Sequence, residues 1–508
     1  MQPAVTAPAE YAAQTWTRED ALLEVVRGRL TGLGPSTVAA LAASMHVDAT
    51  DIDLALIRLQ SEGYVMQGHF TPDASDIEWC ERHLLARIHR YTIGRLRREI
   101  EPVSRRDLMR FLLEWQHTTP GTKLNGPEAL SAVLHQMEGY EAAAGAWESE
   151  LLASRITDYS SRWLDELCRA GRIGWNRLRS GGGSSGPVRA TPIVLLPRRQ
   201  LPIWTSLADR NQGQDALLSS RAQAVADALG AHGALFFDEL VDAAHLLRTE
   251  LEDALGELVS AGRVTSDSFA GLRALLTPAA KRDSPRHRRV RRHTLSEIED
   301  AGRWSLVRKL PAPSPLRGAH ALSPSPLRGE GRGEGPTSPE AKTSDETIEH
   351  TARVLLRRYG VVFWKLLERE APWLPSWREL LRVYHRLEAR GEIRGGRFVE
   401  GLVGEQFALP EAIAHLRSIR LRPPEQQRIT LSGSDPLNLV GTVLAGDRLP
   451  ALAGTRVLYE DGMPVAALVA NKPQWLIEGD LAQQRRWYNA LLRRPEPDGT
   501  SDVTYVHR

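Results

Sequence analysis

One short phrase, Leu-x-x-x-Gly-x-Val/Ile, recurs four times along this chain of 508 residues. The copies are Leu59–Gly63–Val65, Leu167–Gly171–Ile173, Leu258–Gly262–Val264 and Leu387–Gly391–Ile393. Three and four positions before each Leu stand apolar or aromatic residues: Ala55 and Leu56, Trp163 and Leu164, Ala254 and Leu255, Val383 and Tyr384. That spacing lies along one face of a helix. The glycine falls where a helix needs a left-handed C-terminal residue, and the β-branched residue two places on opens an extended segment. Helix, glycine stop and short strand make the third helix and first wing strand of a winged helix. The predicted fold is therefore mainly α with short β wings, a tandem array of winged-helix modules plus a small β-rich C-terminal segment.

Bulk properties narrow the function classes. Net charge is +2, from 65 Lys+Arg and 63 Asp+Glu, so any nucleic-acid surface must come from local asymmetry. Cys80 and Cys168 have no Cys or His at metal-ligand spacing, and neither do His46, His89, His293 and His385. No metal and no cofactor is expected. The N-terminus lacks the basic start and apolar core of a signal peptide, and no run of about 18 apolar residues exists. A cytoplasmic, nucleoid-associated protein off the membrane is the expectation. No G-x-x-x-x-G-K-[ST] phosphate loop occurs, and Asp345-Glu346-Thr347 lacks the preceding buried strand of a DExx box, so no ATPase or helicase activity is assigned to these residues.

Composition divides the chain into six segments. Residues 18–72 read as a first winged helix closed by a strand pair around Tyr64–Phe70. Residues 78–198 read as an enlarged winged-helix unit, its wing strands Arg172–Leu178 and Thr191–Leu196 joined by a flexible SGGGSSG run. Residues 215–278 form the shortest copy, with Val264–Leu276 as a hairpin turning at Gly271. Residues 279–345 are a basic and low-complexity linker, expected to be disordered, in which SPLRG occurs twice. Residues 346–410 are a fourth winged helix, and 428–492 a β-rich tail with a terminal helix, a partial barrel in expectation. Thirteen Trp spread along the chain suggest several small cores, each pinned by an aromatic.

The strings LLARIHRYTIGRLRREIEPVSRRDLMRFLLEWQH, GPEALSAVLHQMEGYEAAAGAWESELLASRI and WLDELCRAGRIGWNRL carry a resemblance. So do GEQFALPEA and SDPLNLVG with RVLYEDGMPVAAL. Together they resemble the C-terminal region of the bacterial large helicase-related family, Lhr. The resemblance implies tandem winged helices behind a superfamily 2 motor in DNA repair, a role in homo-oligomerisation, DNA as partner, and a motor in the same or a neighbouring gene product. The chain is also similar to the AlkZ/YcaQ winged-helix DNA glycosylases, whose Gln-apolar-Gln or Gln-apolar-Asp motif resembles Gln136-Met137-Glu138. This implies Gln136, Glu138 and Tyr159 as catalytic residues, with Trp147 and Arg155 nearby. A carboxylate beneath an oxocarbenium-like sugar stabilises its charge. Glu138 keeps that charge but adds a methylene to the family's Asp.

Basic stretches supply the candidate DNA contacts. Arg87, Arg90, Arg95, Arg97, Arg98, Arg105 and Arg106 interleave with His89 and Tyr91, with Glu99 and Glu101 as possible ion-pair partners. A second run holds Lys281, Arg282, Arg286, Arg288, Arg289, Arg291 and Arg292 and reads as a flexible arm. Arg378, Arg382, Arg386 and Arg390 recur every four residues and form one stripe down a helix. The third helix at 248–261 carries Glu250, Glu252, Asp253 and Glu257 and points to a structural or protein-contact role. Three functions stay open: a DNA-binding and oligomerisation region of an Lhr-type repair helicase, a DNA glycosylase removing uracil or alkylated bases, or a purely structural oligomerisation scaffold.

Overall fold

The computed structural model describes residues 8–9, 13–72, 74–98, 100–178, 188–209, 218–276, 302–307 and 339–492, with only the backbone of 209 and 339–344. The chain forms two compact units, Met1–Ile100 and Glu101–Arg508.

In the first unit, helices α1 (Arg18–Leu30), α2 (Val38–Met45) and α3 (Ala49–Ser61) start at the caps Thr17, Thr37 and Asp48, whose side chains accept backbone N–H groups. They bury Leu23, Val26, Leu30, Leu41, Ile52, Leu56 and Leu59 together. Strand β3 (Glu78–Glu81) is central in the wing, pairing with β1 (Ser36–Thr37) and β2 (Val65–Gly68). This corrects two expectations. The first module does not close at residue 72, and residues 78–98 belong to it, because β2 finds its partner at Glu78–Glu81, beyond the anticipated hairpin. Helix α4 (Arg82–Arg98) continues directly from β3.

The second unit begins with α5 (Arg105–Trp115), capped by Ser104, and α6 (Pro127–Gln136). After a π-helical segment over Trp147–Leu152 come α7 (Ser161–Arg169) and the wing strands β4 (Ile173–Asn176) and β5 (Pro192–Pro197), paired antiparallel. Helix α8 (Leu201–Asp209) follows β5. The next module holds α9 (Ser220–His232), α10 (Phe237–Ala244), α11 (Arg248–Ser260) and β6 (Val264–Ser266). The hairpin expected after β6 is absent: Phe269–Leu275 is a helix, α12, with Gly271 inside it. The return strand is β7 (Trp304–Leu306), antiparallel to β6. The segment 279–345, expected to be disordered throughout, therefore contributes a wing strand, and its last residues lie in α13 (Pro339–Tyr359).

The fourth module combines α13 with β8 (Val361–Val362), α14 (Trp377–Ala389), β9 (Arg394–Gly396), β10 (Gln406–Ala408) and α15 (Pro410–Leu421). The tail is an open four-stranded antiparallel meander of β11 (Arg428–Ser432), β12 (Arg456–Glu460), β13 (Met463–Val469) and β14 (Lys472–Trp475), covered by α16 (Leu481–Leu492). It is not a barrel.

All four repeat glycines adopt the left-handed conformation, with φ of 72° at Gly63, 68° at Gly171, 67° at Gly262 and 76° at Gly391. In each copy the N–H after the glycine reaches back to the carbonyl of the repeat Leu, at 2.9, 3.0, 2.9 and 3.0 Å. That 6→1 bond is the Schellman stop, which fixes the Leu-to-Gly spacing. The cores are not separate, however. The second and third modules share one cluster running from Leu130 to Trp304, in which Trp175 meets Phe269 and Trp304 edge-on. A second cluster packs Leu178, Val194, Leu196 and Trp204 against Val354 and Trp373 of the fourth module.

Candidate functional site

Glu138 lies just beyond the end of α6 and is 0% exposed. Its Oε1 accepts the Trp204 indole N–H at 2.9 Å and lies 2.6 Å from Nε2 of His350. Arg357 Nη1 is 3.5 Å from Oε2, and His135 Nδ1 is 3.6 Å from the same oxygen. The buried Arg358 guanidinium donates to the Glu138 backbone carbonyl. Burial pushes the carboxyl pKa up, but the bonds from His350 and Trp204 and the charge of Arg357 outweigh it and hold it below the ordinary range. A charged carboxylate is thus maintained inside the protein, between α6, α8 and α13. Trp204 packs directly on Gly139, at φ +74°, where a Cβ would stand 2.3 Å from its ring.

The other glycosylase-like residues enter different networks. Gln136 donates to the Trp115 carbonyl at 2.9 Å, and its own amide oxygen is buried without a partner. Tyr159 donates to Glu148 at 2.9 Å, and Arg273 of α12 bridges Glu148 and Asp165. Burial and the Glu148 charge push the Tyr159 phenol far above its usual range, so it stays a proton donor. Trp147 is buried and donates to the Ile193 carbonyl. Arg155, wholly buried, clasps Asp435 with two bonds of 2.7 and 3.0 Å and donates to Gln116 at 2.7 Å. The structure brings neither Tyr159 nor Arg155 into hydrogen-bond contact with Glu138. It brings in Trp204, His350 and Arg357 instead. Sequence reasoning missed these, since His350 is 212 positions from Glu138 and no local pattern links them.

The candidate DNA contacts divide similarly. Helix α4 buries no residue, and Arg87, Arg90 and Arg98 are exposed on it while Arg97 is half-buried. Glu101 pairs with Arg420. Arg105 and Arg106 belong to the packing: they donate to the carbonyls of Gly401 and Asp461, at 2.7 and 3.0 Å. On α14, Arg386 and Arg390 pair with Asp345 and Glu349 of α13, whereas Arg378 and Arg382 are exposed with no ion pair among the described residues. The acidic α11 uses Glu250 and Glu257 locally, as capping and ion-pair partners. Arg286, Arg288, Arg289, Arg291 and Arg292 lie outside the described residues.

Two segments match family models described as winged-helix domains of the large helicase-related protein: residues 103–198 the third such domain, and residues 341–428 the fourth. These two winged-helix segments are thus similar to those of the large helicase-related protein. The chain is 29% identical over 460 residues to a protein of Mycolicibacterium smegmatis named Lhr helicase/probable uracil glycosylase, covering 85% of this chain and 27% of that protein. It is 27% identical over 479 residues to an Escherichia coli protein named Lhr helicase/uracil glycosylase, covering 87% of this chain and 28% of that one. The chain thus spans about a quarter of the length of these curated relatives. The boundary at 103 agrees with the start of α5, and the boundary at 428 falls where the tail begins. No helix among the described residues is long and apolar enough to cross a membrane.

Proposed function

We propose that this Lhr-type region binds DNA in support of a repair helicase whose motor is encoded in the same or a neighbouring gene product. The observation that carries the reading is the third helix of the fourth module. In winged helices this element approaches the groove, and here Arg378 and Arg382 are exposed on it without a counter-charge among the described residues. The exposed α4, with Arg87, Arg90 and Arg98, adds a second basic face. Gel shift of the chain on duplex and single-stranded DNA tests the proposal. The double substitution Arg378→Ala/Arg382→Ala should weaken duplex binding at every sequence. It should also flatten the dependence on log[salt] by about 1.8, the contribution of two phosphate contacts. A chain that shifts neither DNA at low salt would overturn the reading.

Self-association is the finer part of the same proposal, supported by the exposed Trp475, Ile477, Leu481, Tyr488 and Leu492 on the tail. Sedimentation at rising protein concentration tests it. DNA-glycosylase activity is the second reading, favoured by the uracil glycosylase named in both relatives and by an ionised carboxylate at Glu138. Under it, Glu138→Gln abolishes release of uracil from DNA, scored as alkali-labile strand breaks. Undiminished release by that variant would remove Glu138 from the chemistry.

A further inference from the structure

The cations around Glu138 outnumber the charge they neutralise. Three basic side chains from two helices reach its carboxylate, and the charge of a fourth acts on one of them. His135 closes α6, with its side chain 42% exposed and its Nδ1 3.6 Å from the carboxylate. His350 and Arg357 stand two turns apart on α13, 21% and 35% exposed, and both reach the same carboxylate. Arg357 Nη1 also donates to the His135 carbonyl at 3.2 Å, which ties α13 to the end of α6. Arg199, exposed in the turn after β5, is near enough for its charge to act on His135. Arg357 matches the charge of Glu138, so the Arg199 guanidinium acting on His135 adds positive charge even with both imidazoles neutral.

The arrangement is also packed from below. Trp204 forms the floor, bonded to Glu138 and set edge-on against His350 and Trp373 at ring distances of 6.0 Å. The carboxylate is covered, while the cations above it reach solvent. A buried acid that fixes exposed bases in place lowers the ordering cost of an anion that joins them. A phosphodiester oxygen suits such a cluster, since it accepts hydrogen bonds from guanidinium and imidazole N–H alike.

We infer that His135, Arg199, His350 and Arg357 form a phosphate-contacting site for the backbone of a DNA strand, with Glu138 as the buried anchor of His135, His350 and Arg357. The site joins the second and fourth modules, so one strand would be gripped by both. It rests on the DNA-binding reading above.

The test is the salt dependence of oligonucleotide binding by the full chain, unaltered and with Arg199→Ala, Arg357→Ala and both. Each single substitution should flatten the slope against log[salt] on duplex DNA by about 0.9 and the pair by about 1.8. Affinity at fixed salt should fall roughly three- to tenfold per substitution, equally for all sequences. Arg357→Lys should keep the slope. If Arg357→Ala proves unfolded by its melting curve, Arg199→Ala, an exposed side chain, carries the comparison alone. An unchanged slope in a folded variant that still binds DNA overturns the inference and leaves the DNA-binding reading standing. An unaltered chain that binds no DNA overturns both. Inorganic phosphate provides the last arm. If it shifts the His135 and His350 imidazole resonances while the slopes of all variants stay equal, the cluster takes a free anion and not a strand, and the inference fails.

Discussion

Arg155 and Asp435 are 280 positions apart, and both are buried almost completely. Neither is intelligible alone, since a lone buried charge would cost several kcal/mol. Together with Gln116 and the Leu151 carbonyl they satisfy most of each other's hydrogen-bonding groups. Around them Arg369 donates to the carbonyls of Gly433 and Asp435, and Tyr140 donates to that of Ser434. The loop of the SDPLN string, buried along its whole length, is held by side chains from the second and fourth modules. Removing one partner should leave the other charged and unpaired, so Asp435→Ala should cost about 3–5 kcal/mol in urea unfolding. A cost near zero would mean that the pair is dispensable. At this scale the sequence was least legible. The motif Gln136-Met137-Glu138 drew attention to the right carboxylate, but its partners His350, Trp204 and Arg357 come from other elements. Arg155 looked like a site residue near Glu138 and is instead the counter-ion of a residue in the tail.

Among the elements, local chemistry was far easier to read. The repeat fixed the ends of four helices because a Schellman stop uses only residues within six positions of each other. Gly391 has open space around the position of a Cβ, so Gly391→Ala isolates the cost of the left-handed φ of 76°. It should lower stability by about 1 kcal/mol, measured by thermal melting of the variant. An unchanged melting temperature would show that the helix ends in another way. The strands that complete the wings were not legible. β2 pairs with Glu78–Glu81, beyond the anticipated strand pair, and β6 pairs with Trp304–Leu306 across the basic run at 281–292. Strand pairing depends on what packs over the sheet, and Trp304 is there to complete a core around Trp175. The terminal helix expected at the end of the tail is Leu481–Leu492, legible because its amphipathic pattern is local.

For the molecule as a whole, the repeat and the spread of Trp suggested several small separate cores, and the packing of the second, third and fourth modules shows otherwise. The second and third modules bury one common cluster, so a cavity in either is felt by both. Trp304→Ala should cost about 3–5 kcal/mol. It should speed amide exchange along α6 and α7 as well as along α9 and α11. Faster exchange confined to α9 and α11 would mean that the modules unfold separately. Charge is unevenly shared too: the acidic α11 spends its carboxylates on capping and on Arg221, whereas α14 leaves Arg378 and Arg382 uncommitted.

The hairpin between β12 and β13 turns at Asp461-Gly462, directly over α5. A Cβ on Gly462 would stand 2.4 Å from the Arg106 carbonyl, and Arg106 in turn donates to the Asp461 carbonyl at 3.0 Å. The tail is therefore a clasp on a helix more than three hundred positions earlier. For chimaeras between relatives this sets the unit of exchange. A transplanted second module would need its own matching tail, and residues 103–198 and 428–492 would have to be inherited, and shuffled, as a pair.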